Sequence, residues 1–172
     1  MVLKLFSLPH SEWVIFLLSG TLKNNESSVD TLKKLSQSLP AEWNGIAQLF
    51  PATKIGGFDN LAWAGFSTFQ NMRSQSLHFR KPEMEWLGYV SGNFQTEKAI
   101  SIAGLSPGDK EVVLALMGPK KTLPKKLIQK IASQLKISPQ MVSFSKNSSI
   151  SSRYPFSKEI FMIEKSALAG LD

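Results

Sequence analysis

The stretch EVVLALM at residues 111–117 constrains the fold of this chain more than any other part of its sequence. Six consecutive apolar residues after a glutamate are typical of a strand that is buried on both faces. Both faces of such a strand must pack against other secondary-structure elements, and the chain contains several amphipathic segments that can do so. We therefore predict an α/β (α+β) fold, with a small, mixed, mainly antiparallel sheet and helices on both faces.

The remaining apolar runs place further elements along the chain. Short runs of apolar residues predict strands at 2–8, 13–18, 46–50 and 141–144. Helical spacing of apolar residues, together with start and stop signals, predicts helices at about 29–39, 58–73, 82–91, 96–103, 123–135 and 154–171. Because the chain has 172 residues and no internal repeat, we predict a single domain over 1–172.

The net charge of +7 is concentrated in one segment of the chain. Residues 1–117 carry equal numbers of basic and acidic side chains, whereas residues 118–136 carry six lysines and no acid. A local excess of this kind favours nucleic acid or an anionic membrane, although a solvated helix face is its commoner meaning. A membrane-surface role would use an apolar stripe that a core explains equally well, formed by Leu123, Leu127, Ile128, Ile131 and Leu135.

The sequence favours a cytoplasmic protein, which would also be nuclear in a eukaryotic source. The apolar run at 13–18 has no basic segment before it, so we do not interpret it as a secretion signal. No run approaches the ~20 apolar residues of a membrane helix. The chain contains no cysteine, which excludes disulfides and thiolate metal ligands.

Candidate catalytic residues are few. Glu83 and Glu85 lie roughly 200° apart around a helix, so their carboxylates diverge and do not form an acid–base pair. The helical projection places Glu83 within the apolar arc and Glu85 on the polar side. His10 and His78 have no second metal ligand at helical spacing, and no nucleophile motif or phosphate loop is present. We predict a non-enzymatic protein without metal or cofactor; a small enzyme of unrecognised type is the alternative.

The middle of the chain resembles a known family. The matching pieces are, in order, Ala52-Thr53-Lys54, Leu61-Ala62-Trp63-Ala64, Met84-Glu85-Trp86-Leu87, Ser91-Gly92-Asn93-Phe94-Gln95, Ala99-Ile100 and Gly104. In this order and spacing, over residues 52–109, they resemble the kinase-binding subunit of the KEOPS complex, called TPRKB in animals. The likeness is weaker in the opening strands and the closing helix. It implies a TPRKB-like domain with helices on both faces of a sheet.

The resemblance also implies a function. KEOPS makes threonylcarbamoyladenosine next to the anticodon of tRNAs that read codons starting with A, and another of its subunits performs the transfer. The TPRKB-like subunit is non-catalytic and binds the N-lobe of a small atypical kinase/ATPase, and archaeal relatives also bind the 3′ CCA end of tRNA. The implied partners are therefore this kinase, tRNA and, indirectly, the other KEOPS subunits, without a cofactor or a membrane.

The resemblance places the kinase contact on the helix that ends at Gly104. The residues it implies are Ala99, Ile102, Ala103 and Leu105. The apolar arc of this helix is wide for its length, and Ile102 lies at the margin of the arc. A marginal apolar residue of this kind belongs either to the core or to the edge of a protein-binding surface.

For the tRNA contact, the resemblance implies Lys54. A separate argument adds Arg73, Arg80 and Lys81 to the predicted contact. These cations flank Phe79 in the sequence, so they can bind phosphates beside a base that stacks on its ring.

The turn at Asn93 and Phe94 also belongs to the predicted tRNA contact. Many relatives carry an arginine after the Ser-Gly turn where this chain has Phe94. The change removes a phosphate partner. Either Phe94 stacks a base instead, or tRNA binding is weaker or differently placed, with the lysine segment 120–136 as a compensating site.

Overall fold

The computed structural model describes residues 3–23, 27–41, 43–122 and 125–144, which form an antiparallel sheet covered by helices. The strands are β1 (Leu3–Ser7), β2 (Trp13–Leu22), β3 (Ile46–Pro51), β4 (Glu111–Pro119) and β5 (Ile137–Pro139). Their order is β1-β2-β4-β3, and β5 pairs with the end of β2 on the same side as β1. Every described pairing is antiparallel, and β2 and β4 occupy the centre.

The helices begin and end at residues that favour those positions. They are α1 (Ser28–Ser38), α2 (Phe58–Arg73), α3 (Pro82–Ser91), α4 (Thr96–Ala103) and α5 (Lys125–Gln134), with 3-10 turns at Ala52–Lys54 and Lys120–Thr122. The Ser27 hydroxyl accepts a hydrogen bond from the Asp30 N–H at the start of α1. Pro82 occupies the first turn of α3, and Gly92 ends that helix with φ 66°.

Helices cover both faces of the sheet, as predicted. One core cluster includes Leu35 of α1 and Ile131 of α5, and the other includes Leu61 of α2, Trp86 of α3 and Ala99 of α4. Residues of β4 alternate between the first cluster (Val112, Leu114, Leu116) and the second (Val113, Ala115, Met117). The continuous apolar run is therefore a central strand buried on both sides, and the α/β fold class is confirmed.

The predicted strand at 141–144 is wrong. The chain pairs with β2 earlier, through Ile137–Pro139. Gly20 makes this possible, because a Cβ at that position would collide with Ile137 and with the backbone of Ser138. Beyond β5 the chain leaves the sheet, and Met141 is 78% exposed.

Most other predicted elements differ from the structure only at their ends. β3 extends by one residue to Pro51, because β3 is an edge strand, where the missing N–H of proline is tolerated. The helix predicted at 123–135 is α5, described from Lys125 to Gln134. The helix predicted at 154–171 lies outside the described residues.

Candidate functional site

Helix α4 leaves most of its surface uncovered. It buries only Ala99 and Ala103, one turn apart. Ile100 and Ile102 flank this narrow stripe on opposite sides and are 47% and 45% exposed. With Phe94 they make up three of the five large apolar side chains that are exposed in the described residues. We call Ile100 and Ile102 together the α4 surface, because exposed large apolar side chains are candidates for contact with a partner.

Only one of the four residues predicted for the kinase contact lies on the α4 surface. Ile102 is exposed, whereas Ala99 and Ala103 are fully buried and seat the helix on the core. Leu105 belongs to the core cluster on the opposite face of the sheet, because the chain passes to that face after α4. These three buried residues cannot touch a partner directly, whereas Ile100, on the opposite flank of α4 from Ile102, is exposed.

A buried carboxylate holds the loop at residues 74–81 between α2 and α3. Glu85 is fully buried, and its Oε2 accepts hydrogen bonds from the backbone N–H groups of His78 (2.8 Å) and Phe79 (3.1 Å). Its Oε1 accepts from Asn71 Nδ2 and from the His78 ring nitrogen Nδ1, each at 2.8 Å. The expectation that Glu85 lies on the polar side of its helix is wrong, because this loop covers that side and supplies the donors. The role of Glu85 is structural.

The same loop forms an aromatic cluster with Phe94. The rings of His78 and Phe94 stack with centroids 4.1 Å apart, and Phe79 and Tyr89 contact Phe94 at 6.0 and 5.1 Å. Gly88 admits these rings, since a Cβ there would lie 2.8 Å from Phe79 and 2.9 Å from Phe94. Phe94 is therefore anchored on α3, and the His78 side chain, 50% exposed, lies over it.

Two of the predicted tRNA-contacting cations adjoin this aromatic cluster in sequence. Arg80 and Lys81 directly follow Phe79 in the loop and are exposed. We call His78, Arg80, Lys81 and Phe94 the loop surface. It combines exposed rings with two exposed cations, and its contact with tRNA stays a prediction.

Asn93 has a local role in the turn between α3 and α4. Its side-chain oxygen accepts a hydrogen bond of 2.9 Å from the Gln95 N–H, directly before α4. Its backbone N–H donates to the Gly88 carbonyl at 3.1 Å. Asn93 thus positions Phe94 and the start of α4, and its contact with tRNA stays a prediction.

The ammonium of Lys54, whose side chain is 23% exposed, is held by the loop after α4. Its Nζ donates to the carbonyl of Gly104 (2.8 Å) and to the Ser106 hydroxyl (2.7 Å), and lies 3.7 Å from the Asp109 carboxylate. The first two contacts are hydrogen bonds, and the third is an ion pair beyond hydrogen-bond distance. Lys54 therefore fastens the loop after α4, and its contact with tRNA stays a prediction.

Arg73 lies away from the loop surface. Its guanidinium carbon is 5.8 Å from the ring centroid of Phe69. Asn71 directs its side chain to α3, and Arg73, two residues later, lies roughly 200° around α2 from it. Arg73 lines a shallow cleft with Trp13 instead, so the prediction that it joins Arg80 and Lys81 is wrong.

The structure bears on two other kinds of site. In the described ranges, no group of three or more His, Asp or Glu side chains could hold a metal ion. No helix in that part of the chain is long and apolar enough to cross a membrane. The basic segment directs Leu127, Ile128, Ile131 and Leu135 into the core, so these residues are not available to a membrane surface. Leu123 lies outside the described residues.

Ile100 and His78 are absent from the sequence predictions of the site. Ile100 could have been found, because it lies on the same wide apolar arc that singled out Ile102. His78 carries no comparable signal, since its position over Phe94 depends on the bond from its ring to Glu85.

Comparisons with known proteins do not assign the chain to a family. A scan against protein-family models gives no match, and a search of curated proteins gives none. The resemblance to the KEOPS subunit therefore rests on the matching residues alone and stays a prediction.

Proposed function

We propose that this chain is a non-catalytic adaptor subunit of a KEOPS-type complex for tRNA threonylcarbamoyladenosine modification. It binds the N-lobe of the small atypical kinase through the α4 surface and helps to recruit the 3′ CCA end of tRNA through the loop surface. The observation that carries the proposal is the exposure of Ile100 and Ile102 on a helix seated by only two alanines. The resemblance over residues 52–109 supplies the identity of the partners.

The α4 surface suits a partner because the helix is fixed at both ends. Asn93 holds its start, and Gly104 ends it with an N–H bond of 2.8 Å to the Ile100 carbonyl. A side chain at Gly104 would collide with that carbonyl, and Lys54 binds the carbonyl of Gly104 itself. A fixed helix loses little conformational entropy on binding. Full burial of an isoleucine contributes about 1.5–3 kcal/mol.

The loop surface suits a single-stranded RNA end. Proteins bind single strands by stacking bases on aromatic rings and by placing cations beside the phosphates. The stacked rings of His78 and Phe94 supply the first feature, and Arg80 and Lys81 supply the second. A base stacked here takes the place of the phosphate contact that relatives make through their arginine.

Ile102→Glu tests the kinase contact. A carboxylate in an apolar interface removes the burial contribution and must be desolvated, so the Kd for the kinase should rise roughly 30-fold or more. Val29→Glu is the matched control, because Val29 is 72% exposed on α1, which packs on the other face of the sheet. The measurement is co-purification of the co-expressed kinase subunit, with circular dichroism to verify folding. Kinase retained by folded Ile102→Glu would refute the contact.

The double variant Arg80→Glu with Lys81→Glu tests the tRNA contact. Each lost phosphate contact should weaken binding and reduce the slope of log K against log salt by roughly 0.7–1. Lys33→Glu with Lys130→Glu makes the same change in charge on α1 and α5 and serves as the control. Filter binding of tRNA over a salt series measures both effects. An unchanged slope in the Arg80/Lys81 variant would exclude the loop surface as the tRNA site.

A further inference from the structure

Three elements meet around Trp13, at the end of the sheet away from Lys54. Trp13 begins β2 and pairs with Pro119 at the end of β4. Its ring packs against Phe69 of α2, with centroids 5.4 Å apart. Two shallow clefts lie beside it, and both are lined by Trp13 and Ser11. Trp13 is only partly buried, so the clefts share an accessible aromatic wall.

Each cleft carries basic side chains. One is lined by His10 and Arg73, and the other by Lys120 and Lys121. Among the described residues that line them, the acidic side chain is Glu12, 3.7 Å from Lys121. Both members of this pair are largely exposed, at 76% and 83%, so water screens their attraction. The clefts therefore have a net positive charge beside an aromatic ring.

We infer that the Trp13 surface, formed by Ser11, Trp13, Arg73, Lys120 and Lys121, binds a phosphorylated nucleoside, either free or within a single-stranded nucleic acid. A base stacked on an aromatic side chain contributes about 1–3 kcal/mol. Arginine and lysine bind phosphate oxygens through charge-assisted hydrogen bonds. A cation on each side of the ring allows phosphates to be held in either cleft while the base contacts Trp13.

The Ser11 hydroxyl adds a polar group at the wall that the clefts share. It accepts a hydrogen bond of 2.9 Å from the backbone N–H of Trp13. A serine hydroxyl that accepts one bond can still donate its own proton. It can therefore donate to a phosphate, sugar or base oxygen of the ligand.

The Trp13 surface is separate from the loop surface. Arg73 lies on the flank of α2 away from Asn71, whose side chain faces α3. The inference uses no residue of the loop surface and holds whether or not the chain binds a kinase. It also gives a role to Lys120 and Lys121, the first two residues of the basic segment.

The first test is binding of a fluorescein-labelled single-stranded RNA of about 12 nucleotides, measured by anisotropy. In a chain that already carries Arg80→Glu and Lys81→Glu, so that the loop surface does not bind the RNA, Arg73→Glu with Lys121→Glu should lower the affinity at least tenfold. Lys33→Glu with Lys130→Glu, an equal change of charge on the other face of the sheet, should lower it less than threefold. Equal losses in the two variants would overturn the inference, because binding would then depend on net charge alone.

The second test uses the wild-type chain, so it does not depend on a variant that folds. Adenosine monophosphate, the labelled RNA and inorganic phosphate are titrated separately, and the indole N–H resonance of Trp13 is followed by NMR. A shift with the monophosphate indicates a free nucleotide ligand, and a shift with RNA alone indicates a strand. No shift with either, or an equal shift with inorganic phosphate, would overturn the inference.

This test can refute the Trp13 surface and the loop surface independently of each other. Arg80→Glu with Lys81→Glu should leave the Trp13 shift unchanged, because those residues lie on the loop surface. Loss of tRNA binding at the loop surface therefore does not affect the inference, and a missing Trp13 shift does not affect the proposed function.

Discussion

Glu85→Gln tests the buried carboxylate that organises the loop surface. The carboxylate accepts two hydrogen bonds on each oxygen, from His78 N and Phe79 N on one and from Asn71 Nδ2 and His78 Nδ1 on the other. A glutamine offers one acceptor oxygen in place of two. With the amide oxygen facing the backbone N–H groups of His78 and Phe79, its NH₂ group can donate to His78 Nδ1 in the other ring tautomer, and the bond from Asn71 Nδ2 is lost.

The loss can be expressed as a free energy of unfolding. A hydrogen bond to a charged group contributes about 1.5–3 kcal/mol, and the lower figure applies because the partners of Glu85 are partly exposed. One lost bond should destabilise the protein by about 1.5 kcal/mol. For a domain of this size, that lowers the Tm by roughly 3–6 °C.

Glu83→Gln is the matched control. It makes the same chemical change two residues earlier, on a half-buried side chain in the first turn of α3. The loss of an acidic side chain there should cost less than about 1 kcal/mol. Urea unfolding followed by circular dichroism measures both variants. Equal destabilisation by the two substitutions would refute the structural role of Glu85.

Two further substitutions test contacts that support the surfaces. Lys54→Met retains most of the side-chain length but removes the bonds to Gly104 and Ser106, so urea unfolding should show a free energy of unfolding lower by roughly 2–3 kcal/mol. If this variant instead reduced the salt slope of tRNA binding by one phosphate contact, the structural role of Lys54 would be contradicted. Gly88→Ala places a Cβ within 3 Å of Phe79 and Phe94 and should destabilise by about 1–3 kcal/mol, with altered NMR shifts of the His78 ring. A variant with wild-type stability and shifts would show that Phe94 does not pack on α3.

Elements that depend on local sequence could be predicted well. The bounds of α2, α3 and α4 match the prediction, because apolar spacing and residues such as Pro82 and Gly92 act within a few positions. The strand at 141–144 failed for the opposite reason. β5 lies at Ile137–Pro139 because Gly20, distant in sequence, leaves room for Ile137.

Contacts distant in sequence also decided which site residues are exposed. The local sequence gives no sign that the Lys54 ammonium is hydrogen-bonded, because its partners Gly104 and Ser106 are 50 and 52 positions away. Arg73 and Arg80 are close in sequence, yet the geometry of α2 places Arg73 beside Trp13. Ile102 was predictable, because the apolar arc of α4 is too wide for its single buried stripe.

The threonylcarbamoyladenosine content of tRNA reports most directly on whether the α4 surface joins this chain to a KEOPS-type complex. It can be measured by mass spectrometry of tRNA nucleosides from source cells in which the chain is replaced by Ile102→Glu or by Val29→Glu, at equal protein levels. We predict a large fall in the modified nucleoside with Ile102→Glu and a wild-type level with Val29→Glu. A wild-type level with both variants would contradict the proposed function.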